Sequence, residues 1–157
     1  TRVPLSIRQL DFRQAGTSSK QAVSLIDIYP TLIDLVGLPP VKGLEGTSLI
    51  PQLKNPSKAR TEPAVTTWYY KNHSVRDLHY RYIQYRDGSE ELYDHRVDPR
   101  EHRNLANDPL FAHVVKNMAK HIPTTNIVPP TMTDGGLDSY GKRVEKLRTE
   151  GVPSWLE

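Results

Sequence analysis

Between Pro63 and His95 the chain carries four short runs rich in β-branched and aromatic residues: PAVTTWYY, HSVRDLH, YRYIQYR and EELYDH. Each has the length of a single strand, and the DGS between the last two has the chemistry of a tight hairpin turn. These runs predict a small antiparallel sheet. The stretch NDPLFAHVVKNMAKHIP that follows reads as an amphipathic helix. Asp108 stands where a cap belongs, and Pro109 suits the first helical position, whose N–H has no partner within the helix. Leu110, Phe111, Val114, Val115, Met118 and Ile122 form an apolar face fitted to cover one side of the sheet. The expected fold class is therefore α+β, a four-stranded antiparallel sheet with a covering helix.

A second helix is predicted upstream, in VSLIDIYPTLIDLVGLPP, over residues 25–36. Leu25, Ile28, Tyr29, Leu32 and Val36 share one face, and Ile26, Ile33 and Leu35 widen it. Asp27, Thr31 and Asp34 leave only a narrow polar stripe. Gly37 can adopt the left-handed cap conformation, and Pro39 and Pro40 prevent continuation. Such a helix expects burial on both sides. Around it, TRVPLSI is β-prone, with Val3, Leu5 and Ile7 to one side, and Ser48 is a candidate cap for a helical turn to Leu53. After Pro123 the sequence offers one short amphipathic stretch through Tyr140, Val144 and Leu147, then a terminal Trp155–Leu156 pair. The sheet and its helix make a unit of about 60 residues, the size at which a single core is marginal. Apolar surface is left over, and a missing partner layer is the simplest expectation.

Composition narrows the function. Of 157 residues only 36% are hydrophobic and 13 are proline, lean for a self-sufficient domain yet too rich for disorder. The absence of cysteine excludes a disulfide, a zinc–thiolate site or a cysteine nucleophile within this sequence. No apolar run approaches the roughly 20 residues that span a bilayer, so no membrane partner is expected. The 21 basic and 18 acidic residues are interspersed, unlike the basic stripe of a nucleic-acid-binding surface.

Of the six histidines none forms H-E-x-x-H. His95 and His102 flank a turn with Asp94, Asp98 and Glu101, which is more often a hydrogen-bonded turn than a cation site, and no metal ligand is expected. There is no G-x-S-x-G elbow and no phosphate-cradling loop, so no catalytic residue is assigned. The informative constellation is WYYKNHSVRDLHYRY, residues 68–82. It sets Trp68, two tyrosines, Lys71, Asn72 and His73 in a turn between strands, with Arg76 just beyond. Aromatic faces beside amide, imidazole and guanidinium donors suit a sugar carrying carboxylate or sulfate. The competing use of such aromatics is as core, preferred here for Tyr80 and Tyr82. For Asn72 and His73 the two readings stand level.

Taken in order, TRVPLSI, VSLIDIYPTLIDLVGLP, GLEGTSLIPQL, VRDLHYRYIQY and ELYDHRVDPREHRNLANDP resemble the C-terminal third of a formylglycine-dependent sulfatase, nearest the iduronate-2-sulfatase-like branch. The resemblance covers about residues 1–123. It implies the C-terminal subdomain of an alkaline-phosphatase-like α/β sulfatase fold: the end of the large domain with a linker over 1–60, the sheet and helix over 61–123, and an extended tail over 124–157. In that family the DP and NL pairs fix the exit from the sheet. The catalytic machinery, a formylglycine made from Cys or Ser in a C-x-P-S-R-type motif and a calcium ion, belongs to the large N-terminal domain. Neither form of that motif occurs here, and the sequence starts where the family's catalytic residues end.

The resemblance therefore implies the C-terminal part of a sulfatase, a sulfuric ester hydrolase acting on a sulfated carbohydrate, inactive by itself. Its partners would be the N-terminal catalytic domain of the same enzyme and the sugar. Its compartment would be periplasmic, secreted or lysosomal. Asn72 and His73 are the expected substrate contacts, followed by Trp68 and Arg76, and His73→Ala is expected to disturb KM more than melting. The alternatives are a stand-alone carbohydrate-binding or interaction module without catalysis, and an inactive paralogue.

Overall fold

The computed structural model describes residues 3–8 and 16–128. The amphipathic stretch through Tyr140 and the Trp155–Leu156 pair lie outside them.

The four runs become four strands, β1 (Ala64–Trp68), β2 (Asn72–Arg76), β3 (Tyr80–Gln84) and β4 (Glu90–Asp94). They pair antiparallel in sequence order, as a meander. Strand alternation divides their side chains between two faces. Val75, Tyr82 and Leu92 lie opposite one another across β2, β3 and β4, and all three are fully buried. Leu105, Val114 and Met118 complete this core, with Val65, Tyr80, Phe111, Val115 and Ile122 packed around it. The Tyr82 hydroxyl donates to Glu90, and burial, reinforced by that carboxylate, pushes its ionisation well above the usual range.

The exit from β4 is held by Asn104. Its Oδ1 accepts from the Leu92 amide at 3.0 Å and its Nδ2 donates to the Glu90 carbonyl at 3.0 Å. The Leu105 amide adds a bond to the Leu92 carbonyl at 2.8 Å. One side-chain amide thus satisfies backbone groups that a fifth strand would otherwise take. Asp98 accepts from the Arg103 amide at 2.9 Å, which closes the turn between them. The covering helix follows as expected. Asp108 accepts from the Leu110 amide, and Pro109 opens a 3-10 turn over Pro109–Phe111 that continues as an α-helix at Ala112–Ala119. Leu110 departs from the expectation: it lies on the outside of that tight first turn, 78% exposed.

The upstream helix also begins as a 3-10 turn (Leu25–Asp27) and continues as α1 (Ile28–Leu35). Gly37, at φ +69°, ends it. Its amide bonds to the Asp34 carbonyl at 3.2 Å, and that of Leu38 reaches the Ile33 carbonyl at 3.1 Å. That pair of bonds is the Schellman closure, which needs a left-handed residue at this point. A second short helix, α2, spans Ile50–Lys54; the Ala112–Ala119 helix is α3. Ser48 does not occupy the N-cap position, which falls to Leu49. Residues 3–8 carry no regular secondary structure, since the β-prone start has no strand beside it.

α1 differs from the expectation in which way it faces. Two of its three polar-stripe residues point inward, Asp27 and Thr31 each only 1% exposed, while Asp34 stays at the surface. Asp27 accepts from the Ser24 amide at 2.8 Å and the Thr47 amide at 2.9 Å, and pairs with Arg60 at 3.0 Å. Thr31 accepts from the Leu49 amide at 2.9 Å, and Ser48 donates to Asp34 at 2.5 Å. Arg60 also donates to Thr47 Oγ1 and to the Glu62 carbonyl, while its buried Nη1 meets Asp27 by charge alone, with no hydrogen bond. Ile33 alone of the helix's apolar residues is buried. Leu25, Ile26, Tyr29, Leu32 and Val36 are exposed, and Leu38, Val41 and Leu44 extend the patch along the following loop. The segment is polar inside and apolar outside.

Candidate functional site

Asn72 and His73 lie in β2, not in the turn before it. Tyr69 and Lys71 adopt φ near +60°, which reverses the chain within Tyr69–Lys71 and puts Asn72 directly opposite Trp68. A left-handed conformation costs roughly 1–2 kcal/mol for each non-glycine residue, so the turn needs support. Asn72 supplies it. Its Nδ2 donates to the Trp68 and Tyr70 carbonyls at 3.1 and 3.2 Å, and its Oδ1 accepts from the Arg86 amide at 3.1 Å. The tips of the β1–β2 and β3–β4 hairpins are bolted together by one carboxamide.

His73 faces the opposite way, toward the helix-covered side, because adjacent strand residues alternate. It is buried, with Nδ1 2.9 Å from Thr67 Oγ1 and Nε2 2.9 Å from Asn126 Oδ1. Asn126 also donates to the Pro123 carbonyl at 3.2 Å. The ring thus bridges a strand hydroxyl on one side and a side-chain carboxamide oxygen on the other. The ring fastens the segment after α3 to the sheet. His73→Ala is accordingly expected to cost about 1–3 kcal/mol, because it leaves Thr67 and Asn126 without their partner. Thermal unfolding of the variant reads that loss.

Trp68 and Arg76 share the face without the helix but stand at its two ends, roughly 13 Å apart along the strands. Around Arg76 is a charged cluster. Its Nη1 is 3.4 Å from His95 Nε2, which is 2.7 Å from Glu101 Oε1, and Glu101 also receives Arg81 at 2.9 Å. Arg81 donates its Nε to Ser74 Oγ at 3.0 Å. Asp94 is gripped by Arg96 at 2.6 Å. Tyr93, buried on this face and bonded to Glu91, has its hydroxyl pushed up to about 12 by burial first and Glu91 second. Among the described residues no three His, Asp or Glu side chains gather to hold a metal. The carboxylates flanked by His95 and His102 are committed to arginines and backbone amides.

Burial alone would raise the Glu101 carboxyl, but the hydrogen bonds from His95 and Arg81 outweigh it and hold the group below its ordinary 4.5. A depressed folded-state pKa adds stability above the unfolded value, and that stability drains away as pH falls through the folded one. Glu101→Gln is expected to melt lower than the parent at pH 7. The difference should shrink as pH falls below 4.5, which melting curves across that range will register.

At the other end of the sheet, Trp68 is 72% exposed, and its ring lies 6.0 Å from that of Tyr69. The Tyr70 ring has Lys71 Nζ 5.4 Å from its centroid and Arg86 Cζ at 5.7 Å. Arg86 had no obvious role in the sequence. The signal that finds it is topological: in an antiparallel meander, the first and third hairpin tips fall at the same end of the sheet.

Sheet, covering helix and outward apolar helix together make a small α+β unit with one apolar face left open. The chain belongs to the family described as N-sulphoglucosamine sulphohydrolase, C-terminal, whose model matches residues 1–127. It is 38% identical over 111 residues to a sulfatase of Formosa agariphila, a match covering 71% of this chain and 22% of that protein. It is 34% identical over 105 residues to a Delta 4,5-hexuronate-2-O-sulfatase of Bacteroides thetaiotaomicron, covering 61% of this chain and 21% of that one. Among solved structures it resembles one of a protein in complex with its substrate D-glucosamine-2-N,6-O-disulfate, with a TM-score of 0.52, 24% identity, and coverage of 61% and 22% of the two chains. That likeness is one of fold. The chain thus spans about a fifth of the length of the curated relatives it matches. These matches do not single out the iduronate-2-sulfatase-like branch.

Proposed function

We propose that this chain is the C-terminal part of a longer sulfatase that hydrolyses sulfate esters of a sulfated carbohydrate, and that it packs against the catalytic domain of the same polypeptide. The observation that carries the reading is the inverted α1 segment. Eight large apolar side chains, Leu25, Ile26, Tyr29, Leu32, Val36, Leu38, Val41 and Leu44, surround a polar interior. A patch of that size calls for a partner, and relatives about three times as long have the further chain to supply one. A stand-alone binding module is not favoured, because it would leave this patch in water.

The division into an end of the large domain over 1–60, a sheet subdomain over 61–123 and a tail over 124–157 belongs to the same proposal. The change from polar interior to apolar core near Glu62 supports its first boundary. In this reading formylglycine and calcium belong to the rest of the enzyme, as the family resemblance implies. No helix among the described residues is long and apolar enough to cross a membrane, and a periplasmic, secreted or lysosomal setting suits a polysaccharide substrate.

Of the four substrate contacts proposed, Trp68 has the exposure to touch a sugar. Asn72 and His73 hold the wall in place, and Arg76 lies at the far end of the face. The experiment is complementation. The upstream part of the enzyme, co-expressed with this chain, is expected to form a stable complex that releases sulfate from a 2-O-sulfated unsaturated disaccharide, whereas either part alone does not. An upstream part that is stable and fully active alone overturns the reading.

A further inference from the structure

We propose that Asp87 is a modification site: the Asp87–Gly88 linkage rearranges to isoaspartate, and Ser89 is the residue that withholds this reaction in the folded protein. The inference goes beyond the sulfatase reading and does not depend on it.

The chemistry needs a nucleophile and a leaving group. The amide nitrogen of the following residue attacks the aspartate Cγ. A C–N bond forms, the nitrogen gives up its proton, and the carboxyl OH leaves as water. Water then adds to either carbonyl of the succinimide. Opening at Cγ restores aspartate. Opening at the former main-chain carbonyl leaves the chain running through the side chain, one methylene longer. Water is returned, and nothing is oxidised or reduced.

The turn exposes both groups. Gly88 has no Cβ to crowd its nitrogen, and residues 86–89 are all exposed. The space around Gly88 is open as well, since a Cβ placed there would meet nothing within 4 Å. The chain has one other such pair, Asp134–Gly135, which lies outside the described residues.

Three hydrogen bonds oppose the reaction. Asp87 Oδ1 accepts from the Ser89 amide at 2.9 Å and from the Ser89 hydroxyl at 2.6 Å. Both end on the same oxygen and hold the carboxylate over Ser89. They also favour its ionised form, from which no OH can depart as water. The Asp87 carboxyl accordingly lies below its ordinary 3.8, with the Ser89 hydroxyl the largest cause and the Ser89 amide the next. The third bond ties up the attacking nitrogen, because the Gly88 amide donates to the Tyr85 carbonyl at 3.0 Å.

The position matters because of what the turn carries. The Tyr85 amide bonds to the Ser89 carbonyl at 2.9 Å and closes the β3–β4 hairpin. Arg86, next in the turn, donates its amide to Asn72 Oδ1 at 3.1 Å. An added methylene between residues 87 and 88 breaks that closure. Isoaspartate at 87 thus unfastens the β3–β4 tip from the β1–β2 tip, while the strands stay paired from Gln84 and Glu90 inward.

The test ages the full-length protein at neutral pH, in buffer and in urea. Peptide mapping with electron-transfer fragmentation reads isoaspartate at position 87 and separates it from any at 134. In urea the turn is gone, and isoaspartate at 87 is expected to accumulate about 3- to 10-fold faster than in the folded parent, the factor that one net hydrogen bond is worth. Folded Ser89→Ala should approach the urea rate. Ser89→Thr, which keeps the hydroxyl, should stay with the parent. Equal rates in buffer and urea overturn the guard, as does Ser89→Ala ageing no faster than the parent. Absence of isoaspartate at 87 even in urea refutes the site. Ser89 is exposed, so the Tm of Ser89→Ala should stay near the parent value. If that variant loses its fold, the comparison of the parent in buffer and urea decides the guard without it. In Ser89→Ala carrying isoaspartate at 87, the Arg86 amide should exchange with solvent faster than before ageing. Unchanged protection there overturns the unfastening.

Discussion

Asp27→Ala is expected to cost about 3–5 kcal/mol, the loss typical of breaking one side of a buried ion pair. The magnitude follows from what stays behind. Arg60 would keep a buried guanidinium without its carboxylate, and the amides of Ser24 and Thr47 would lose their acceptor together. Set against a total stability of roughly 5–15 kcal/mol, such a loss removes much of the margin. Thermal unfolding and soluble yield of the full-length enzyme would both register it. Asp27→Asn keeps acceptor capacity at one oxygen and should fall between the two. Replacing the pair, as Asp27→Leu with Arg60→Met, should recover part of the loss, because no buried charge is then stranded. A fall in Tm of less than a few degrees for Asp27→Ala would show that the pair is not the hub of this segment.

Gly46→Ala is the second change with a large expected effect. A Cβ at this position would lie 2.1 Å from the Ile26 carbonyl oxygen and 2.5 Å from its carbon. Both are backbone atoms of the turn that opens the upstream helix, and neither can rotate away. The turn or the Gly46 strand of the loop must shift, which pulls the Thr47 amide from Asp27 and compounds the clash. An expected cost of about 3 kcal/mol combines overpacking with the lost hydrogen bond. Gly43→Ala is the informative control. Gly43 has φ +82° but nothing within 4 Å of its Cβ position, so only its backbone strain of about 1 kcal/mol remains. Equal melting temperatures for the two variants would remove the close approach at Gly46 as a determinant of the fold.

The sheet is legible in the sequence because its evidence is local. Four runs of β-branched and aromatic residues, one DGS turn, and the Asp108-Pro109 start of α3 each report on a few adjacent residues, and the structure has all of them. Gly37 is legible for the same reason. The facing of α1 is not. Periodicity tells which residues share a face, but not which face meets the interior. That is decided by amides at Thr47 and Leu49, which lie 20 and 18 residues away from the side chains that accept them. The four candidate site residues scatter for a related reason. Their grouping assumes that Asn72 and His73 are in a turn. Once Tyr69–Lys71 closes the reversal, alternation sends Asn72 and His73 to opposite faces. Two consecutive-but-one residues in the left-handed region, neither of them glycine, are not signalled by composition, so the sequence pattern could not place that turn.

The inverted segment also bears on how such an enzyme is made. In this family the C-terminal part leaves the ribosome last, when the catalytic domain has already had time to collapse. On the proposed docking, that domain keeps the matching surface uncovered until residues such as Tyr29 and Leu32 emerge. Once they emerge, the polar cluster around Asp27 can shape them before docking. Quality-control factors that sample exposed leucine and isoleucine would thus hold the nascent enzyme until this segment has been translated and seated.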